Sequence, residues 1–171
     1  MSALQQISTC GGARLLAILL LASGVQGRSA LAEPVSAAPA TTLELTVVGG
    51  PALNPNSEGR PSPVVIRIFD LSEAGSFQSA DYQGLFEHPK DALKQIILAQ
   101  EELVLRPGDI QERNRGLPPQ VHALGIAAAF RDLDHAVWRL VVPLKAGQRN
   151  FLLIDLDRDT VRLDPSDSGK H

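Results

Sequence analysis

Leu43-Glu44-Leu45-Thr46-Val47 alternates apolar and polar side chains. In an extended chain successive side chains point to opposite faces, so this segment reads as a strand with one face buried. The pattern continues downstream. Val64-Val65-Ile66-Arg67-Ile68-Phe69 is rich in β-branched residues and reads as a second strand. Glu102 to Leu105 reads as a third, stopped by the turn Arg106-Pro107-Gly108-Asp109, and Asp109 to Arg113 as a short fourth. Val121 to Phe130 is a long apolar run, expected as a central strand. Its Gly125 and Ala127 to Ala129 are small enough to let another layer approach closely. Ala136 to Val142, Asn150 to Leu156 and Thr160 to Leu163 complete the set, with turns at Lys145 to Gln148 and Asp157 to Asp159. About eight strands at hairpin spacing predict a mainly β fold, an antiparallel β-sandwich.

Two insertions interrupt the strands. Gly49 to Pro63 carries Pro51, Pro55, Pro61 and Pro63 and is much longer than the roughly 2–5 residues of a hairpin loop. Within it Leu53 is apolar in a polar context, while Asn54-Pro55-Asn56 and Glu58-Gly59-Arg60 offer turns and polar contacts. Recognition on a rigid sandwich and a disordered connection are both open for it. Ser76 to Leu98 is the one helical stretch. Ser76 is the expected cap of a first helix carrying Phe77 and Leu85, and Pro89 is expected to start a second with Ala92, Leu93 and Ile96.

The chain has 171 residues, 44% of them hydrophobic, which excludes a wholly disordered chain. It carries 16 basic and 19 acidic residues, a net charge of −3. That balance argues against nucleic acid as a partner. Its single cysteine, Cys10, excludes a disulfide framework.

Cys10 also precedes the apolar run LLAILLLA, Leu15 to Ala22. A bilayer span needs about 20 residues, so this run suits the core of a secretory signal, behind Arg14. Ala30-Leu31-Ala32 is the preferred cleavage site, with Gly24 and Gly27 as alternatives. The expected organisation is a signal peptide over residues 1–32, a Pro/Ala/Ser/Thr linker over 33–42, a sandwich over 43–164 and a disordered tail over 165–171. Leu21-Ala22-Ser23-Gly24-Val25 is similar to a lipoprotein signal, but Val25 stands where the acylated cysteine belongs and has no thiol.

The chemical inventory is sparse. His88, His122, His135 and His171 lack metal-ligand spacing; His122 reads as a solvent-facing strand residue. Asp132, Asp134 and His135 could form an acid–base cluster, as a hydrolase would need, but no GxSxG accompanies them and a polar turn is the simpler reading. Asp155, Asp157 and Asp159 are similar to the opening of a calcium loop, yet Thr160 and Ser166 replace its required Gly and Glu. Trp138 reads as a core or inter-sheet plug. No catalytic residue, metal or cofactor is expected, which points to a binding module. A generic periplasmic adaptor working through a sheet edge, or a ligand-binding sandwich, are the alternatives.

Four blocks carry a resemblance to a known family: LNPNSEGRPSPVVIRIFDL (Leu53 to Leu71), SFQSADYQGLF (Ser76 to Phe86), EELVLRPGD (Glu101 to Asp109) and LGIAAAFRDLDHAVWR (Leu124 to Arg139). Together they resemble TssJ, the outer-membrane lipoproteins of type VI secretion systems, from about Leu43 to Leu163. The resemblance implies a transthyretin-like β-sandwich with an added helical segment and no enzymatic activity. It implies a periplasmic protein associated with the outer membrane that binds the periplasmic C-terminal region of TssM, an inner-membrane protein, and through it TssL. It implies that the loop between the first two strands makes the contact, here Leu53, Asn54, Pro55, Asn56, Ser57, Glu58, Gly59 and Arg60. Members are normally acylated just after the signal. With Val25 there, the resemblance leaves three arrangements: retention by the partner, anchoring through another protein, or a degenerate copy.

Overall fold

β1 (Thr41–Gly49) turns Leu43, Leu45 and Val47 inward and leaves Thr42, Glu44, Thr46 and Val48 half-buried on its other face, as the alternation predicts. It begins two residues earlier than expected. Thr41, read as linker, is buried, and its hydroxyl accepts from the Gly147 N–H at 2.8 Å. The computed structural model describes residues 39–87, 93 and 95–165. These belong to the compact unit Ala37–His171. The other unit, Met1–Ser36, lies outside the described residues, and with it the expected signal peptide, Cys10 and Val25. His88, Pro89, Ala92 and His171 also lie outside them.

The remaining strands are β2 (Val64–Leu71), β3 (Ile97–Leu105), β4 (Ile110–Leu117), β5 (Ala123–Ala128), β6 (Arg139–Pro143), β7 (Arg149–Asp157) and β8 (Thr160–Leu163). They form two four-stranded sheets, β4-β1-β7-β8 and β3-β2-β5-β6. The main core lies between them and includes Leu43, Leu45, Ile66, Ile126, Ile154 and Leu156.

The sandwich is not wholly antiparallel. β1 and β7 pair in parallel, Thr42 opposite Arg149 through Gly49 opposite Leu156. The chain re-enters through the Lys145–Gln148 turn at the pole where β1 starts, and the Thr42 N–H donates to the Gln148 carbonyl at 3.0 Å. Both strands therefore run the same way. β4 reaches Leu117 rather than Arg113, and β5 is shorter than the apolar run that contains it. β6 starts only at Arg139, because Val137 makes an isolated parallel bridge to Thr160 across the sandwich.

One side of the sandwich is clamped by charge. Arg115 on β4 reaches Asp70 on β2 with two hydrogen bonds of 2.5 and 2.6 Å, and Asp70 is only 2% exposed. Arg113 donates to Glu101 on β3 at 2.6 Å. Both pairs join one sheet to the other, and the bidentate geometry makes the first the stronger.

The outer face of the β3-β2-β5-β6 sheet holds a second core of Phe69, Leu71, Phe77, Leu85, Leu93, Ile96, Ala123 and Ala127. In place of one helix capped by Ser76 there are two of five residues, α1 (Gly75–Ser79) and α2 (Tyr82–Phe86). Glu73 receives both the Ser76 N–H and its hydroxyl, so Ser76 lies inside α1 and caps nothing. Ala80 is extended, and the Asp81 carboxylate accepts the Gly84 N–H at 2.7 Å to start α2. Strand arginines satisfy the helix C-termini. Arg67 donates to the carbonyls of Leu85 and Phe86 at 3.0 and 2.6 Å, and Arg139 donates to that of Ala80. Trp138 packs against both cores and meets Tyr82 edge-on at 5.6 Å.

Gly125 makes the close approach of α1 possible. A Cβ there would lie 2.8 Å from Phe77 Cζ and 2.9 Å from Leu71 Cδ1. Gly125→Val is expected to destabilise the domain by about 1–3 kcal/mol through overpacking. Urea denaturation would show a lower midpoint at unchanged slope.

Candidate functional site

The β1–β2 connection is a folded structure. It leaves β1 with the Gly50 N–H donating to the Leu156 carbonyl at 2.7 Å, and the Ala52 N–H then donates to the Asp157 carboxylate at 3.0 Å. A Cβ on Gly50 would stand 2.6 Å from that same carboxylate oxygen, so the approach requires glycine. Leu53 is fully buried in the main core. Asn54 is 4% exposed at φ 45°, and three hydrogen bonds hold it. Its N–H donates to the Arg158 carbonyl at 2.6 Å, its Nδ2 donates to the Pro63 carbonyl at 2.7 Å, and its Oδ1 accepts the Arg131 N–H at 2.9 Å.

Past Pro55 a second asparagine folds the tip. Asn56 Oδ1 accepts the N–H groups of Glu58 and Arg60 at 3.0 and 2.9 Å, and the Asn56 N–H donates to the Arg60 carbonyl at 2.9 Å. Gly59 completes the turn at φ 78°. Ser57, Glu58, Gly59, Arg60 and Pro61 are exposed, with Glu58 and Arg60 ion-paired in water. The expected site residues thus divide. Leu53 and Asn54 face inward, Pro55 and Asn56 are half-buried, and of the eight only Ser57 to Arg60 are exposed. The turn-forming character of Asn54-Pro55-Asn56 is visible in the sequence; the tie of Asn54 to Arg131 and Arg158 is not.

The loop's foot, the β5–β6 turn and the β7–β8 turn enclose an open groove of about 390 Å³ with Phe130 in its lining. The Asp132–His135 pair lies in that β5–β6 turn. His135 Nδ1 is 2.8 Å from Asp132 Oδ1, and the two side chains are 77% and 62% exposed. Such a pair has no desolvated pocket in which to do acid–base work. The three aspartates read against a calcium loop are engaged separately: Asp155 with Arg162, Asp157 with the N–H groups of Ala52 and Arg158, and Asp159 with the Thr160 hydroxyl. Among the described residues no group of three His, Cys, Asp or Glu side chains is placed to hold a metal. His122 is exposed and precedes β5 rather than lying within it.

The hydrogen bond to Asp132, helped by the charges of Asp132 and Asp134, raises His135 above its ordinary value of 6.5. The raised value means that the pair's small contribution to stability is complete below pH 6.5 and is lost as pH rises through the folded-state value. In an NMR titration the His135 imidazole should titrate above 6.5, and Asp132→Asn should bring it back toward 6.5.

Residues 41–159 match the family of type VI secretion lipoproteins that includes VasD, EvfM and TssJ. No curated protein matches the chain. Among solved structures, the lipoprotein TssJ1 from Pseudomonas aeruginosa is 32% identical over 74% of this chain and 96% of its own, with a TM-score of 0.72. A chain in a structure described as a type VI membrane complex is 33% identical over 72% of this chain and 98% of its own, at 0.64. A third, described as the TssM C-terminal domain from EAEC, matches at 32% over 72% and 98%, at 0.61. The sandwich with its helical layer, and a family match spanning β1 to the β7–β8 turn, lead to one conclusion: the chain belongs to the type VI secretion lipoprotein family, TssJ.

Proposed function

We propose that this protein is a structural component of the type VI secretion membrane complex, working on the periplasmic side of the outer membrane. It docks to the periplasmic C-terminal domain of a TssM-like inner-membrane protein, and through it to TssL. The β1–β2 loop makes the contact. The observation that carries this reading is the loop's division into a buried foot at Leu53 and Asn54 and a folded, exposed tip from Ser57 to Pro61. A tip already held in shape loses little freedom when it meets a partner. Related chains in structures described as a type VI membrane complex and as the TssM C-terminal domain support the choice of partner.

A second reading, strand addition, is favoured by the edge of β3, where Leu98 and Val104 are 45% and 47% exposed. The two separate on the tip. Removing all of Leu53 to Arg60 would take Leu53 out of the core, so the variant of choice is Glu58→Ala with Arg60→Ala. It should keep the wild-type thermal midpoint and weaken binding to the TssM periplasmic domain at least tenfold, measured by calorimetry. Wild-type affinity in that variant, with loss on blocking β3, would favour strand addition.

Val25 leaves the leader without the acylated cysteine, so we infer that the partner holds this protein at the envelope. Val25→Cys would restore a thiol to Leu21-Ala22-Ser23-Gly24. Without the TssM-like partner, wild type is expected in the soluble periplasmic fraction and Val25→Cys with the membranes, since each buried CH₂ of an acyl chain contributes about 0.8 kcal/mol. Cell fractionation and immunoblotting read the outcome.

A further inference from the structure

Only two non-glycine residues among those described have positive φ: Asn54 at 45° and Arg158 at 50°. They are bonded to each other, the Asn54 N–H to the Arg158 carbonyl, at 2.6 Å. Unfavourable backbone persists where its surroundings over-determine it, and such positions cluster at functional sites. Here the surroundings are specific. Asn54 is 4% exposed, and both polar atoms of its amide are used on different segments. Nδ2 closes the loop on itself at Pro63, and Oδ1 takes the Arg131 N–H of the β5–β6 turn. One residue therefore ties together three connections at one pole: its side chain joins the β1–β2 loop to the β5–β6 turn, and its backbone N–H joins the loop to the β7–β8 turn.

We propose that Asn54 is the positioning residue of the docking pole, holding the loop in its partner-ready shape before any partner arrives. This rests on the reading of the β1–β2 loop as the docking element. Asn54 touches no partner; it acts through the tip. The amide identity is required because the site needs a donor and an acceptor together, and asparagine tolerates positive φ better than most residues. Without it, Leu53 still anchors the loop in the core, but the segment from Pro55 to Ser62 loses its fixed direction. Binding then has to order that segment, which slows productive encounter.

The structure also supplies a control. Asn150 is also buried, at 7% exposure, and organises the Lys145–Gln148 turn at the opposite pole. Its Oδ1 accepts the Lys145 N–H at 2.7 Å, and its Nδ2 donates to the carbonyls of Lys145 and Gln148 at 3.1 and 3.2 Å. Its loss should destabilise the fold without touching the loop.

The experiment compares full exported chains carrying Asn54→Gly, Asn54→Asp or Asn150→Ala. Glycine keeps the positive φ accessible and removes both side-chain bonds. Aspartate keeps the acceptor for Arg131 and sets a second acceptor against the Pro63 carbonyl, so it breaks that bond alone, while the tip variant remains readable should either fold poorly. Hydrogen exchange is read at the Arg131 and Arg60 amides, and association and dissociation rates are read against the TssM periplasmic domain. In Asn54→Gly the Arg131 amide should exchange at least tenfold faster, with β1 and β7 still protected. Binding should weaken about tenfold, mainly through slower association. In Asn54→Asp the Arg131 amide should stay protected while binding weakens less. Asn150→Ala should lower the thermal midpoint and leave association unchanged.

Unchanged Arg131 exchange in Asn54→Gly would overturn the proposal. So would faster exchange with wild-type association, or an equal loss of association in Asn150→Ala. The tip variant separates the two levels. If it binds weakly while Asn54→Gly binds normally, the loop reading stands and the positioning role falls. If both bind normally, both fall.

Discussion

Strand β5 is buried along its whole length, because protein covers it on both sides: the other sheet on one, the helical layer on the other. The rest of the molecule is arranged around that constraint. It demands small residues on the outer face, Gly125 and Ala127 among them, since a Cβ on Gly125 would already meet Phe77. It requires that two very short helices be held by something other than their own cooperativity, because a single helical turn is unstable alone. Arg67 and Arg139 do this by donating to the helices' last carbonyls. Among the described residues no helix covers the opposite sheet, and its β4 edge is fastened through Arg113 and Arg115 to the covered sheet instead.

A scaffold built this way is suited to holding loops still. The β1–β2 loop is treated like part of the core at one end and like free surface at the other. Leu53 is as buried as any residue in the sandwich, while Glu58 and Arg60, a few positions on, stand in water. A surface ion pair of that kind adds little stability, which leaves both charges available to a partner.

Much of this was legible in the sequence where one strand face meets water and the other meets the core. β1 and β7 have that character, and the alternation of Leu43, Leu45 and Val47 marks it. β4 does not, since its arginines and glutamate sit on an edge strand that contributes little to the core, so its length went unread. The parallel pairing of β1 with β7 is equally invisible, because turn spacing reports only on neighbours in sequence. The helical segment was located by composition, but its division at Ala80 depends on which carboxylate captures which N–H, Glu73 or Asp81. The loop was found from its prolines and its lone Leu53. Which of its residues face inward was not, because that is decided by Arg131 and Arg158, far away in the chain.

The parallel β1–β7 pairing has a consequence for the protein's assembly. Gly147 and Thr41, which meet at the start of the two strands, are 106 positions apart. In a chain threaded through a membrane N-terminus first, β1 emerges early and can pair with β4, but its other edge stays open until nearly the last strand has crossed. For that interval a strand with one apolar face offers unpaired backbone to any neighbour. Long-range pairing of this kind is slow to form, and intermediates with open edges are prone to aggregate. A chain crossing a membrane in that order would therefore keep one edge of β1 open until its final quarter arrived.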